Sequence, residues 1–224
     1  MFKDYFDIEL YIKPKQGWEK LAQKNFTIKE LYLKIVIFFA AIPALGHFLG
    51  FTVLKSQYVE AINKFLELAK QDPQQSQQNI QYMEALRNAL IDNDITKELM
   101  IALVTYGFEL FKPIVLMGII LFLAGAFGGE KDPNKAFMVA VYSLIPTWVV
   151  GIVYMMNSPL SMFLIFLASF YSFYLMFIGG EKVLKVPSGT KSFQFIIVTI
   201  LLYLFISGAI GMLESNITFA LLTR

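Results

Sequence analysis

The sequence predicts an all-α membrane protein: a five-helix transmembrane bundle with an N-terminal interfacial helix and an extramembrane helical hairpin. Three observations carry that expectation. Hydrophobic residues make up 57% of the 224-residue chain and charged ones only 16%, too few to coat a soluble domain of that size. No Asp, Glu, Lys or Arg occurs in 136–156, 160–178 or 193–213. Runs of about 20 uncharged apolar residues match a hydrocarbon core about 30 Å thick at 1.5 Å rise per residue.

Residues 1–30 read as a cytoplasmic N-terminal segment. Pro14 suits the first position of a helix, and Trp18, Leu21, Ala22 and Phe26 follow at helical spacing, with Lys15, Lys20 and Lys24 over the polar remainder. A basic helix with a Trp/Leu/Phe face lies in the membrane interface, as an anchor for the first span or as a docking platform. Thr27-Ile28-Lys29-Glu30 is a capping box that starts the next helix.

The first span occupies 31–54, with the apolar run "IVIFFAAIPALGHFLGFTVL" from Ile35. It lies behind a charged stretch with no A-x-A-like site after it, so it reads as a span and not a cleaved signal. Residues 55–98 read as a helical hairpin on the outer side. Val59, Ile62, Leu66 and Ala69 make one stripe, Ile80, Met83, Leu86 and Leu90 another, with Asp72-Pro73 as the breaker between. The stripes pack on each other or on a partner.

Residues 99–224 hold spans two to five, expected near 108–128, 136–156, 160–179 and 193–213. Ile114–Phe127 alone is too short to cross, so span two must extend back to Phe108 and include Glu109, Lys112 and Pro113. This count puts Glu109 at the outer interface and Lys112 a turn deeper, within snorkelling reach. Pro43 and Pro146 interrupt spans one and three, where each should kink the helix.

Lysine placement sets the orientation. Lysines gather before span one and in the loops at 129–135 and 180–192, whereas the turn at Asn157-Ser158-Pro159 has none and the tail ends in a single Arg224. That predicts an N-terminus in the cytoplasm and a C-terminus outside. "GGEK" occurs twice, at Gly128–Lys131 and Gly179–Lys182, and both copies then lie at the cytoplasmic face. Gly just past a helix is a C-terminal cap, and the following Lys complements the helix dipole. A phosphate loop would need glycines after a strand with G-x-x-x-x-G-K-[ST] spacing, which is absent. The copies either mark spans two and three as a weak repeat of four and five or are a coincidence of two Gly-ended helices.

The candidate intramembrane polar site comprises Glu109, Lys112, His47, Tyr142, Tyr171 and Tyr174. An ionisable residue at membrane depth is a functional candidate by default, here an ion or proton relay, set against the plainer reading of an interfacial snorkelling pair. A lone His is more often packed and hydrogen-bonded than a ligand. The candidate inner-face docking residues are Lys15, Trp18, Lys20, Lys24, Lys131, Lys135, Lys182 and Lys185. No H-E-x-x-H, G-x-S-x-G or intramembrane aspartate pair occurs, and the chain has no Cys. No enzyme activity, metal, cofactor or nucleic acid is therefore expected.

"KPKQGWEKLAQKNF" (Lys13–Phe26), "YSLIPTWVVG" (Tyr142–Gly151), "YSFYLMFIGG" (Tyr171–Gly180) and "KVPSGTKSF" (Lys185–Phe193) together resemble the prokaryotic branch of the Yip-one family, the Ypt/Rab-interacting membrane proteins. The resemblance spans about Lys13 to Gly211. It implies five spans and an inside N-terminus and, in the eukaryotic members, association with Rab-type GTPases without catalysis. This chain lacks the long N-terminal domain of those members and has an added 55–98 hairpin, so GTPase binding does not transfer. The resulting expectation is a non-enzymatic scaffold or adaptor in a prokaryotic inner membrane, in contact with the lipid bilayer, other membrane or cytosolic proteins and a possible second copy of itself. The alternative is a small transporter or lipid-handling protein using Glu109, Lys112 and a polar cavity.

Overall fold

The computed structural model of the chain describes residues 5–69 and 77–223. The Asp72-Pro73 breaker, Lys3 and Arg224 lie outside them. Among the described residues all regular structure is helical. The helices are α1 (Glu9–Ile12), α2 (Pro14–Leu21), α3 (Ile28–Thr52), α4 (Lys55–Ala69), α5 (Gln77–Ile91), α6 (Ile95–Ala126), α7 (Pro133–Val150, continuing as a 3₁₀ helix over Gly151–Met156), α8 (Pro159–Lys182) and α9 (Thr190–Leu222). Five of these, α3, α6, α7, α8 and α9, are long and apolar enough to cross a membrane.

Short polar side chains start the helices. The Thr27 hydroxyl accepts from the Glu30 N–H at 3.2 Å while the Glu30 carboxylate accepts from the Thr27 N–H at 2.9 Å. Asp94 caps α6 through the Lys97 N–H, Asp132 caps α7 through the N–H groups of Asn134 and Lys135, and Ser158 caps α8 through that of Ser161. Span one is segmented, with a π-helical turn at Tyr32–Val36 and a break at Ala40, three residues ahead of Pro43. The carbonyl of Ile37 beside this turn accepts from the Tyr106 hydroxyl at 3.0 Å, which ties span one to α6.

The 18-residue α7 is the most enclosed of the five: every residue from Ala136 to Ile145 is buried among its neighbours. A second, smaller core holds α4 and α5 together, with Tyr58, Ile62 and Leu66 against Leu86, Ala89 and Leu90, and Phe51, Ile101 and Leu222 closing its base. The hairpin stripes thus pack on each other and on the bundle end.

Three sequence expectations change. The 32-residue α6 begins at Ile95 and not near Phe108, because the Asp94 cap starts one continuous helix directly after the hairpin. The 33-residue α9 likewise overruns the expected end at Leu213. Only the first "GGEK" copy caps a helix: Gly128 has φ +87°, a left-handed conformation that glycine adopts without a Cβ penalty. In the second copy Gly179 to Lys182 are all helical, the last residues of α8. The copies therefore play different parts, which favours coincidence over a repeat.

Candidate functional site

Glu109 is 7% exposed, enclosed by neighbouring helices. Three neighbouring helices locate it independently. Trp148 lies 15 residues past Pro133, Tyr203 lies 13 past Thr190, and Ser169 lies 13 before Lys182. At 1.5 Å per residue each is about 20 Å from the end of the bundle that carries the "GGEK" loops.

Both oxygens of the Glu109 carboxylate are occupied. Oε1 accepts from Lys112 Nζ at 2.5 Å and Oε2 from Trp148 Nε1 at 2.9 Å. The pair spans one turn of α6, i to i+3, which places both side chains on one face. A charge buried in a protein within a bilayer is tolerable only when paired and hydrogen-bonded, and this one is both. Trp148 was not singled out in the sequence. The signal was available, since a Trp in an uncharged span needs a partner for its indole N–H.

A cavity of about 490 Å³ opens beside this pair, lined by Glu109, Lys112, Trp148, Tyr203, Ser169, Ser172 and the aromatic wall Phe166, Phe170 and Phe173. The other expected polar residues do not join it. His47 stacks on Tyr154 at 4.5 Å and lines a neighbouring cavity of about 550 Å³ between bundle and hairpin, where Thr105 donates to Glu214 at 2.8 Å. Tyr142 is fully buried at the opposite, N-terminal-segment end, and Tyr174 is exposed.

Tyr142 and Tyr171 instead fasten the N-terminal segment. Tyr142 donates to the Tyr5 carbonyl, Tyr11 donates to the Tyr142 carbonyl at 3.2 Å, and Tyr171 donates to the Tyr11 carbonyl at 2.8 Å. Burial, with Tyr142 and Tyr171 nearby, pushes the Tyr11 phenol well above its ordinary value, so it remains a donor. The apolar face of α2 does not lie on lipid. Trp18 and Leu21 are buried in the main core, Trp18 edge-on to Tyr142 at 6.2 Å between ring centroids. Trp18 as a docking residue is thus corrected: its ring faces the bundle, because Gly179 leaves a notch that receives it.

Several of the seven expected docking lysines are engaged within the protein. Lys20 pairs with Glu9, Lys182 with Glu19 at 2.5 Å, and both Lys135 and Lys185 with Glu130 at 2.5 Å. The Glu130 N–H also donates to the Leu184 carbonyl at 2.6 Å, joining the loops that follow α6 and α8. The Lys135 and Lys185 bonds hold the Glu130 carboxyl below the ordinary carboxylate value. Lys24 lies over the Phe26 ring at 5.4 Å, Lys15 is exposed, and the exposed Lys131 lays its stem against Gly125.

Among the described residues no cluster of three or more His, Cys, Asp or Glu could hold a metal ion. The Yip1 domain model matches residues 8–210, which takes in the docked N-terminal helices, the hairpin and all but the last turns of α9. No curated protein and no solved structure matches the chain. The Yip1 family is not in general a family of enzymes. With a family match over most of its length and five helices able to cross a membrane, the chain belongs to the Yip1 domain family of integral membrane proteins.

Proposed function

We propose that this protein is a non-enzymatic membrane scaffold whose N-terminal segment and two loops act as one rigid platform at the cytoplasmic face, recruiting membrane or cytosolic proteins. The observation that supports this reading most is the docking of α1 and α2 onto the bundle end, through Trp18, three tyrosine bonds to main chain, and the Lys182–Glu19 pair. A segment held that firmly presents a fixed shape, which a partner can recognise without ordering a tail first. The lysine distribution supports an N-terminus inside and a C-terminus outside, and the resemblance to the prokaryotic branch suggests a bacterial-type inner membrane. The platform reading expects recruitment of a cytosolic partner or anionic lipid to fall when Lys15, Lys20 and Lys24 are neutralised together. Recruitment equal to wild type counts against it.

A second reading, a small transporter or lipid-handling protein, draws on the cavity beside Glu109 and Lys112. It expects solute or lipid flux in proteoliposomes, reduced by Glu109→Gln. Flux indistinguishable from empty vesicles removes it.

A further inference from the structure

The cavity beside Glu109 is graded. Phe166 and Phe170 on its rim are each 57% exposed, and Leu204 55%, so its mouth is continuous with the apolar outer surface of α8 and α9. Its depth is lined by Trp148, Ser172 and Met176, which are buried. A volume of about 490 Å³ lies inside the range of about 300–1,000 Å³ usual for small-molecule sites.

The polar groups in that depth have defined vacancies. Ser169 donates to the Ile165 carbonyl at 2.9 Å, the usual way a helical serine satisfies its hydroxyl. Ser172, one turn on, is 3% exposed and its Oγ has no hydrogen-bond partner. An unpaired buried hydroxyl costs about 1–3 kcal/mol, more than one well-packed span would retain without return. Lys112 has three N–H donors, and Glu109 takes one of them. Each Glu109 oxygen already accepts one hydrogen bond, from Lys112 and from Trp148. The site therefore offers donors and calls for an acceptor oxygen.

Charge narrows the ligand. Glu109 and Lys112 cancel, so a second buried anion would stand uncompensated in a low-dielectric setting. An uncharged carbonyl meets the donors without that cost. We propose that this cavity holds the acyl end of a bilayer lipid, its ester carbonyl on Lys112 and Ser172 and its chain along Phe166, Phe170 and Leu204. This assignment rests on the lipid-handling reading of the same cavity and gives it a ligand class. A free fatty acid shares the acyl chemistry but brings a carboxylate.

The test uses the full chain purified in detergent, incubated separately with a diacyl phospholipid and with a free fatty acid, and read by native mass spectrometry. The wild type is expected to retain one phospholipid that Ser172→Ala weakens about tenfold, the size of one hydrogen bond. Glu109→Gln with Lys112→Met, which leaves no unpaired charge, should weaken it similarly while keeping a cooperative melt. Retention of fatty acid alone, retention by neither, or retention unchanged in the Ser172→Ala protein overturns the assignment. Thiol labelling of Ser169→Cys, in a chain without native cysteine, separates the two levels. A reactive thiol with no bound lipid removes the ligand and leaves an open cavity, whereas an inert thiol with no bound lipid removes the cavity reading as well.

Discussion

Trp18 fits against Gly179 so closely that a Cβ on residue 179 would stand 3.0 Å from its Cζ2, with Val139 at the same distance on the other side. The next glycine in the pair receives Phe195, whose Cε1 would lie 2.6 Å from a Cβ at 180. The second "GGEK" is thus a notch between two aromatic rings. It joins α2 to spans four and five.

Filling that notch should detach the cap. Gly179→Leu is expected to cost about 1–3 kcal/mol through overpacking, and Trp18→Ala about 3–5 kcal/mol through the cavity it leaves. In both, limited trypsin digestion should cut early at Lys15 or Lys20. Wild-type cleavage rates in Gly179→Leu would show that α2 does not depend on this contact.

The Glu109–Lys112 pair should show the asymmetry of a buried ion pair. Lys112→Met alone leaves an unpaired carboxylate and should destabilise by about 3–5 kcal/mol, whereas the double change with Glu109→Gln should come within about 1 kcal/mol of wild type. Thermal melts of the four proteins in one detergent give the coupling. Additive single effects would mean the two side chains are separately solvated.

Much of this fold was legible because lipid imposes long uncharged runs; four spans follow from those runs, and the second from the length a short run must gain to cross. The start of α6 and the position of Trp18 were not. Membrane thickness sets a minimum length for a helix and not its start, so the Asp94 cap begins α6 more than a dozen residues ahead of Phe108. Periodicity shows that α2 has an apolar face but not what covers it, and here protein takes the place of lipid. The cavity was unreadable for a related reason: Ser172, Trp148 and Tyr203 come from three helices, and only packing brings them beside Lys112.

Glu130 should make one contribution to stability that depends on acid. Its carboxyl titrates below the unfolded value because Lys135 and Lys185 favour the charged form. The stabilisation is fully present above the unfolded carboxyl pKa of about 4.3 and disappears as pH falls through the lower folded value. The difference in melting temperature between wild type and Glu130→Gln should be small, as for exposed pairs, constant from about pH 7 to 5, and should shrink as pH falls further. A difference that grows toward acid would reverse the assigned sign.

Gly46 fixes the approach of span one to span three. A Cβ there would meet the Gly151 carbonyl oxygen at 2.6 Å, where α7 passes into its 3₁₀ turn. Gly46→Val should lower the melting temperature, whereas Gly208→Ala, with nothing within 4 Å of its Cβ, should raise it slightly or leave it unchanged. Equal effects at the two sites would argue against a tight crossing at Gly46.

Sidedness bears on every part of the platform reading, and single cysteines in this cysteine-free chain can report it directly. With a membrane-impermeant maleimide on intact cells, cysteine at Gln57 or Met156 should react at once, and cysteine at Lys15, Lys131 or Lys185 only after lysis. Labelling of Lys131→Cys and Met156→Cys from the same side would mean that α7 does not cross, and the five-span account would be wrong.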